Sequence, residues 1–222
     1  MADKEGHPKI AIGWDVLLMD PSIIRPCDVG FQRSTSDISK GIRWGSTHTG
    51  EAETFASHTF MVMYPGVANP MRPGRDVRFP EIIEAQATVR LNPMTDYRND
   101  FSDTVIMRVP GLTEEDEYRI RLAALDYLGD RYPYGKIALH LADKLRGRKG
   151  AWRLAITPNL YCNALVERAF ADADIPIATW DADEGSPDDL MDRFVRNDYP
   201  VVWASSERAL DLVKRIYPKV AA

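Results

Sequence analysis

The chain has 222 residues, 45% of them hydrophobic and 27% charged, with a formal net charge of -5. Those values describe a globular chain long enough to bury a core, and the acidic balance argues against general affinity for nucleic acid. Cys27 and Cys162 are its only cysteines, which excludes a disulfide framework and four-cysteine zinc sites but leaves room for one bridge between them.

No apolar stretch approaches the roughly 20 residues that cross a bilayer. Met1 to Lys9 is polar and lacks the basic-then-apolar order of a secretory signal. A cytoplasmic location is expected, and a virus-encoded protein or one carried by a dedicated export system has the same signature.

In chain order, a polar tail over residues 1–8 leads into Lys9 to Met19, which reads as a buried strand or short helix before Pro21 and Pro26 break the chain. Asp28 to Phe31 reads as a short strand. Ser34 to Phe55 is polar and rich in Gly, Ser and Thr, the composition of an insertion loop able to hold one helical turn. Strand-like runs follow at Ser57 to Tyr64, Glu81 to Gln86 and Asp103 to Val109, the last ended by Pro110-Gly111.

Helical signals come next. Thr113 and Asp116 have capping-box spacing, and Ile120, Ala123, Ala124, Tyr127 and Leu128 recur on one helix face. Ile137 to Leu145 predicts a shorter helix. Tyr161-Cys162-Asn163 opens another, with Leu165, Val166, Ala169 and Phe170 as its apolar stripe. Ser186-Pro187-Asp188-Asp189 combines a cap, a first-turn proline and first-turn acids for a helix through about Val195. Tyr199 to Trp203 predicts a last strand, and Ser206 to Ile216 a closing helix. Strands first and helices later suggest an α+β fold, in one domain over residues 1–222.

Three residues carry chemistry. Cys162 stands where a helix dipole and free N–H groups lower a thiol pKa, although its spacing also fits the apolar stripe of its helix. His58 opens a strand that is apolar on both faces, as a satisfied core residue or as a base facing a cleft. Glu84 lies inside Ile82-Ile83-Glu84-Ala85, and a carboxylate in so apolar a run requires a partner. An antiparallel pairing with His58 opposite Glu84 and Tyr64 opposite Arg78 supplies one. It leaves Pro65 to Val77 as a turn-rich connection, with Pro80 at an edge or bulge. Glu81, the competing acid, falls on the opposite strand face.

Other candidates are weaker. His48 with His58 lacks the acid and cysteine cluster of a metal site, His140 falls on the apolar side of its helix, and His7 sits in the tail. The basic run from Lys144 to Arg153 reads as a solvated loop. Asp181, Asp183, Glu184, Asp188 and Asp189 lack calcium-loop spacing. Neither a metal nor a cofactor is expected.

The order Asp28-Val29-Gly30-Phe31, Ser57-His58 with its apolar strand, Ile82-Ile83-Glu84-Ala85, Leu128-Gly129 with Tyr132, and Tyr161-Cys162 resembles the NlpC superfamily of papain-like cysteine hydrolases. It is most similar to the circularly permuted, YiiX-like branch, in which the cysteine helix follows the histidine strand. Ser186 to Leu190 resembles a segment after that helix. The resemblance implies a permuted papain-like fold, a small antiparallel sheet or barrel packed against helices. It implies Cys162 as nucleophile, His58 as base and Glu84 as the group orienting His58. It further implies oxyanion binding by the Cys162 N–H and a tyrosine, Tyr132 or else Tyr134. Asn163 departs from the usual serine after the cysteine.

The activity so implied is cleavage of an amide or ester bond through a thioester, with peptides or peptidoglycan fragments as substrates. An acyltransferase acting on lipid or acyl groups is the alternative, and a non-catalytic binding or assembly module on the same fold is another. Oligomeric state is not legible.

Overall fold

A computed structural model describes residues 10–11, 17–18, 23–46, 53–65, 80–94, 102–131, 162–177 and 186–218. Two short strands, β1 (Ile10–Ala11) and β2 (Leu17–Leu18), pair antiparallel with each other. These are two separate strands, where the sequence suggests one element over Lys9 to Met19.

The other six strands are β3 (Val29–Ser34), β4 (His58–Tyr64), β5 (Glu81–Ala85), β6 (Val89–Pro93), β7 (Ser102–Met107) and β8 (Val201–Ala204). They form an open sheet in the order β6-β5-β4-β3-β7-β8, antiparallel at every junction. The helices are α1 (Asp37–Ser46), α2 (Glu114–Leu125), α3 (Cys162–Asp172), α4 (Pro187–Arg196) and α5 (Glu207–Ile216). The class is α+β, as expected, with a sheet that is open across the described strands.

Helix starts follow the sequence signals. Thr113 and Asp116 form a reciprocal capping box on α2, and Ser186 and Asp189 form one on α4 with Pro187 in the first turn. By contrast, α1 puts 10 residues of the loop expected over 34–55 into a helix, where one helical turn is expected. Its apolar spacing is limited to the Ile38 and Ile42 pair, set among polar residues and two glycines, too short a repeat to stand out by periodicity.

Strand alternation divides the core. One face carries Val29, Phe31, Met61, Met63, Ile83, Val105 and Met107, all packed with α2 to α5 in the larger apolar cluster. Phe31 meets Phe194 of α4 edge-on, with centroids 5.3 Å apart, so the last helices dock on the middle of the sheet. Phe60, Val62, Ile82 and Ile106 face the other way, with Ile24 and Met94. A central strand apolar on both faces is thus what β4 is.

Gly30 sits opposite Phe60 in the β3–β4 register. A Cβ built on Gly30 would land inside the Phe60 ring, so glycine here makes room for an aromatic lying across the neighbouring strand. Gly30→Ala should cost about 1–3 kcal/mol through overpacking. Chemical denaturation measures that loss, and an unchanged midpoint would mean that the ring does not cover Gly30.

The β4–β5 register differs from the expected one. Phe60, not His58, stands opposite Glu84, and Tyr64 stands opposite Glu81, not Arg78, with a bulge between Val62 and Tyr64. The irregularity falls on β4, and Pro80 simply precedes β5, which is paired on both sides. From Phe60 to Val62, before the bulge, the offset is two residues, which keeps the side chains there on their faces. His58 and Glu84 consequently remain on one face as diagonal neighbours, which long side chains can bridge.

Candidate functional site

Three elements bring the site together. β4 presents His58 at its first residue, β5, paired between β4 and β6, presents Glu84, and α3 begins at Cys162. Glu84 shares the face of Ile82, whereas α3 packs on the opposite face with Met61 and Ile83. The group accordingly wraps around the starting end of β4.

His58 Nε2 lies 2.9 Å from Glu84 Oε2. The Glu84 side chain has no exposed surface and that of His58 is 13% exposed, so water screens their pairing little. Glu84 also accepts from Gln86 Nε2 at 3.0 Å, from Arg90 Nη2 at 3.4 Å and from Asn92 Nδ2. Arg90 is itself fixed by Gln86 Oε1 at 2.7 Å. Burial alone would raise the Glu84 pKa, but the hydrogen bond and charge of His58, with Asn92 and Arg90 behind them, hold it below the usual value. Glu84 is thereby kept ionised within the sheet.

Cys162 is buried, with 2% of its surface exposed. Burial disfavours its thiolate, yet the charge and hydrogen bond of His58 and the backbone N–H groups of Thr59 and Asn163 outweigh that and lower its pKa. The effect on His58 is reciprocal. Burial would make the ring less basic, but the Cys162 and Glu84 charges and hydrogen bonds raise it to about 10. The two shifts run in opposite directions and favour a thiolate beside an imidazolium, with the Glu84 carboxylate also bonded to the ring.

Cys27 has a contrasting environment. Both cysteines are free and buried, and Cys27 Sγ donates to the Glu117 carbonyl at 3.4 Å. Burial, reinforced by Glu117, pushes its pKa far up, as for an inert structural thiol.

Gln86, Arg90 and Asn92 were not legible as site residues. Val89-Arg90-Leu91-Asn92 does alternate apolar and polar, the period of a half-buried strand, and that signal would have located β6. Tyr132 and Tyr134, the oxyanion candidates, lie outside the described residues, as do His7, His48, His140, the basic run from Lys144 to Arg153, the predicted helix over 137–145, and Asp181, Asp183 and Glu184. Asp188 and Asp189 bind backbone N–H groups, Asp188 those of Phe55 and Ala56 and Asp189 that of its own cap residue, Ser186. Among the described residues, no group of three or more His, Cys, Asp or Glu is placed to hold a metal ion. No described helix is long and apolar enough to cross a membrane.

No family model matches the chain, and no curated protein is similar to it at a meaningful level. Among solved structures, it is similar to the crystal structure of metalloprotein yiiX from Escherichia coli O157:H7. The identity is 22% and the TM-score 0.47, over 70% of this chain and 69% of that one.

Proposed function

We propose that this protein is a thiol enzyme, a cysteine hydrolase of amidase or peptidase type, in which Cys162 is the nucleophile, His58 the base and acid, and Glu84 the carboxylate that orients His58. One observation carries the reading: a cysteine at the first residue of a helix hydrogen-bonds an imidazole whose Nε2 is held by a buried, ionised glutamate. Inert buried thiols have the opposite environment, as Cys27 does. The order of these residues along the chain supports a permuted papain-like arrangement.

With Nε2 engaged by Glu84, Nδ1 is the ring nitrogen that serves the sulfur. The Cys162 thiolate attacks the acyl carbon of an amide or ester, and the carbonyl oxygen becomes an oxyanion. On collapse the carbon–nitrogen or carbon–oxygen bond breaks, and His58 gives its proton to the leaving group. A thioester on Cys162 and a neutral imidazole remain. His58 then takes a proton from water, whose oxygen attacks the thioester and releases the acid, and the thiolate–imidazolium pair returns. A second nucleophile in place of water would make the same site an acyltransferase. Peptide stems of cell wall are the proposed substrate class.

The test is competitive labelling of the full chain with iodoacetamide at pH 7, read by peptide mass spectrometry. Cys162 should react roughly tenfold or more faster than Cys27, and incubation with peptidoglycan fragments should yield cleaved stems. Equal, sluggish labelling of both cysteines would remove the thiol reading and favour a non-catalytic module. Transfer of an acyl group from lipid, with peptide fragments untouched, would favour the acyltransferase.

A further inference from the structure

Asp188 lies in the first turn of α4, 3% exposed, and takes no part in the chemistry above. Ser186 and Asp189 already cap that helix, so its start does not need another carboxylate. The Asp188 side chain instead reaches across the molecule. Its Oδ1 accepts from the Phe55 N–H at 2.9 Å, the Ala56 N–H at 3.1 Å and the Tyr217 hydroxyl at 3.1 Å.

Phe55 and Ala56 are fully buried and stand just before β4. Their N–H groups precede the strand ladder, and a buried N–H without an acceptor is costly. On one side of them, Arg33 Nη1 holds the Thr54 carbonyl at 2.9 Å. On the other, the Ser57 N–H and hydroxyl both donate to the Gln32 carbonyl, at 2.8 Å and 3.1 Å. His58 is the next residue.

We propose that Asp188 is a positioning residue for His58: by gripping the Phe55 and Ala56 amides it fixes where β4 begins, and so where the imidazole stands between Cys162 and Glu84. This rests on His58 acting as the base of the site. Three donors converging on one oxygen explain why a carboxyl group is retained where its charge is disfavoured. Burial, with Asp192 nearby, raises its pKa to about 7 despite the hydrogen bonds. Asp192, Tyr217 and Arg43 are the ionisable groups around it. Protonation on Oδ2 leaves Oδ1 an acceptor, so the grip does not depend on charge. A carboxamide should therefore replace it and a methyl group should not.

The experiment uses the full chain, with His58 ring signals followed by NMR across pH and Cys162 alkylation followed in parallel. Asp188→Ala should displace the ring resonances, lower the His58 pKa by about one unit and slow Cys162 labelling on the order of tenfold. Asp188→Asn should restore the ring signals and keep labelling within about twofold of the unaltered protein. A folded Asp188→Ala protein with an unchanged His58 titration would overturn the proposal. Should Asp188→Ala fail to fold, Asp188→Asn decides: retained ring signals support the grip, and ring signals displaced in a folded protein overturn it. Slow labelling of Cys162 in the unaltered protein would instead sink the thiol reading, while the ring signals still report on Asp188.

Discussion

His58→Ala should slow alkylation of Cys162 at pH 7 by about tenfold or more and change the shape of its pH dependence. In the intact site, burial opposes the thiolate, and the His58 charge is the largest effect favouring it. Without the imidazolium the largest favourable effect is gone, and the Thr59 and Asn163 N–H groups still stabilise the anion. An ordinary thiol with a pKa of about 8.5 is roughly 3% ionised at pH 7, and a buried one less. The more basic thiolate is intrinsically more nucleophilic, which returns part of the loss. Tenfold is the balance of the two.

The pH profile separates this account from a general loss of structure. A thiol whose pKa is lowered reaches its labelling plateau at lower pH, so the plateau of the unaltered protein should begin at lower pH than that of His58→Ala. The unaltered protein's plateau should change where His58 loses its proton, near pH 10. The His58→Ala rate should instead climb about tenfold per pH unit through the neutral range. The proposed acyl transfer, which would need the imidazolium as acid, should fail on both sides of the window, at low pH as Cys162 gains a proton and near pH 10 as His58 loses one. Flat, equal labelling profiles in the two proteins would show that His58 does not control the sulfur.

The parts of the site that sequence reveals are those in conflict with their neighbours. Glu84 interrupts an apolar run, and a buried carboxylate has few alternatives to a specific partner. His58 at the end of a strand that is apolar on both faces raises the same question. A helix start is visible at Cys162 because its apolar stripe begins there. The exact pairing is not visible, because the bulge between Val62 and Tyr64 shifts the ladder and leaves no residue-level mark. From Phe60 to Val62 the pairing lies two residues from the expected one, a full strand period, and that spares the His58–Glu84 contact.

Gln86, Arg90 and Asn92 are hidden for the opposite reason. A polar residue on a short strand is ordinary, and only the fold turns those three toward Glu84. Asp188 is hidden by its own helix, since an acid beside a cap and a proline already has an adequate local explanation. Its amide partners lie more than a hundred residues earlier in the chain. Short-range chemistry is legible in this sequence, and partners supplied by topology are not.

Glu84→Gln, nearly identical in shape, should destabilise the protein by about 3 kcal/mol at pH 7. His58, Gln86, Arg90 and Asn92 all present donors to the carboxylate. A carboxamide has one accepting oxygen, so its NH2 must face either the His58 and Gln86 pair or the Asn92 and Arg90 pair. Whichever way it turns, its NH2 meets groups that donate to the carboxylate, around a side chain that has no exposed surface of its own. The lost charge also lowers the His58 pKa, so Cys162 labelling at pH 7 should fall with stability. Because folding lowers the Glu84 pKa, its contribution is complete above the unfolded value of about 4.3 and disappears as pH falls through the folded one. The stability gap between the unaltered protein and Glu84→Gln, measured by urea denaturation, should therefore be widest near neutrality and narrow below about pH 4. A gap that stays constant across that range would mean that Glu84 is held by its shape and not by its charge, and the imidazolium would then lose its principal counterion after Cys162.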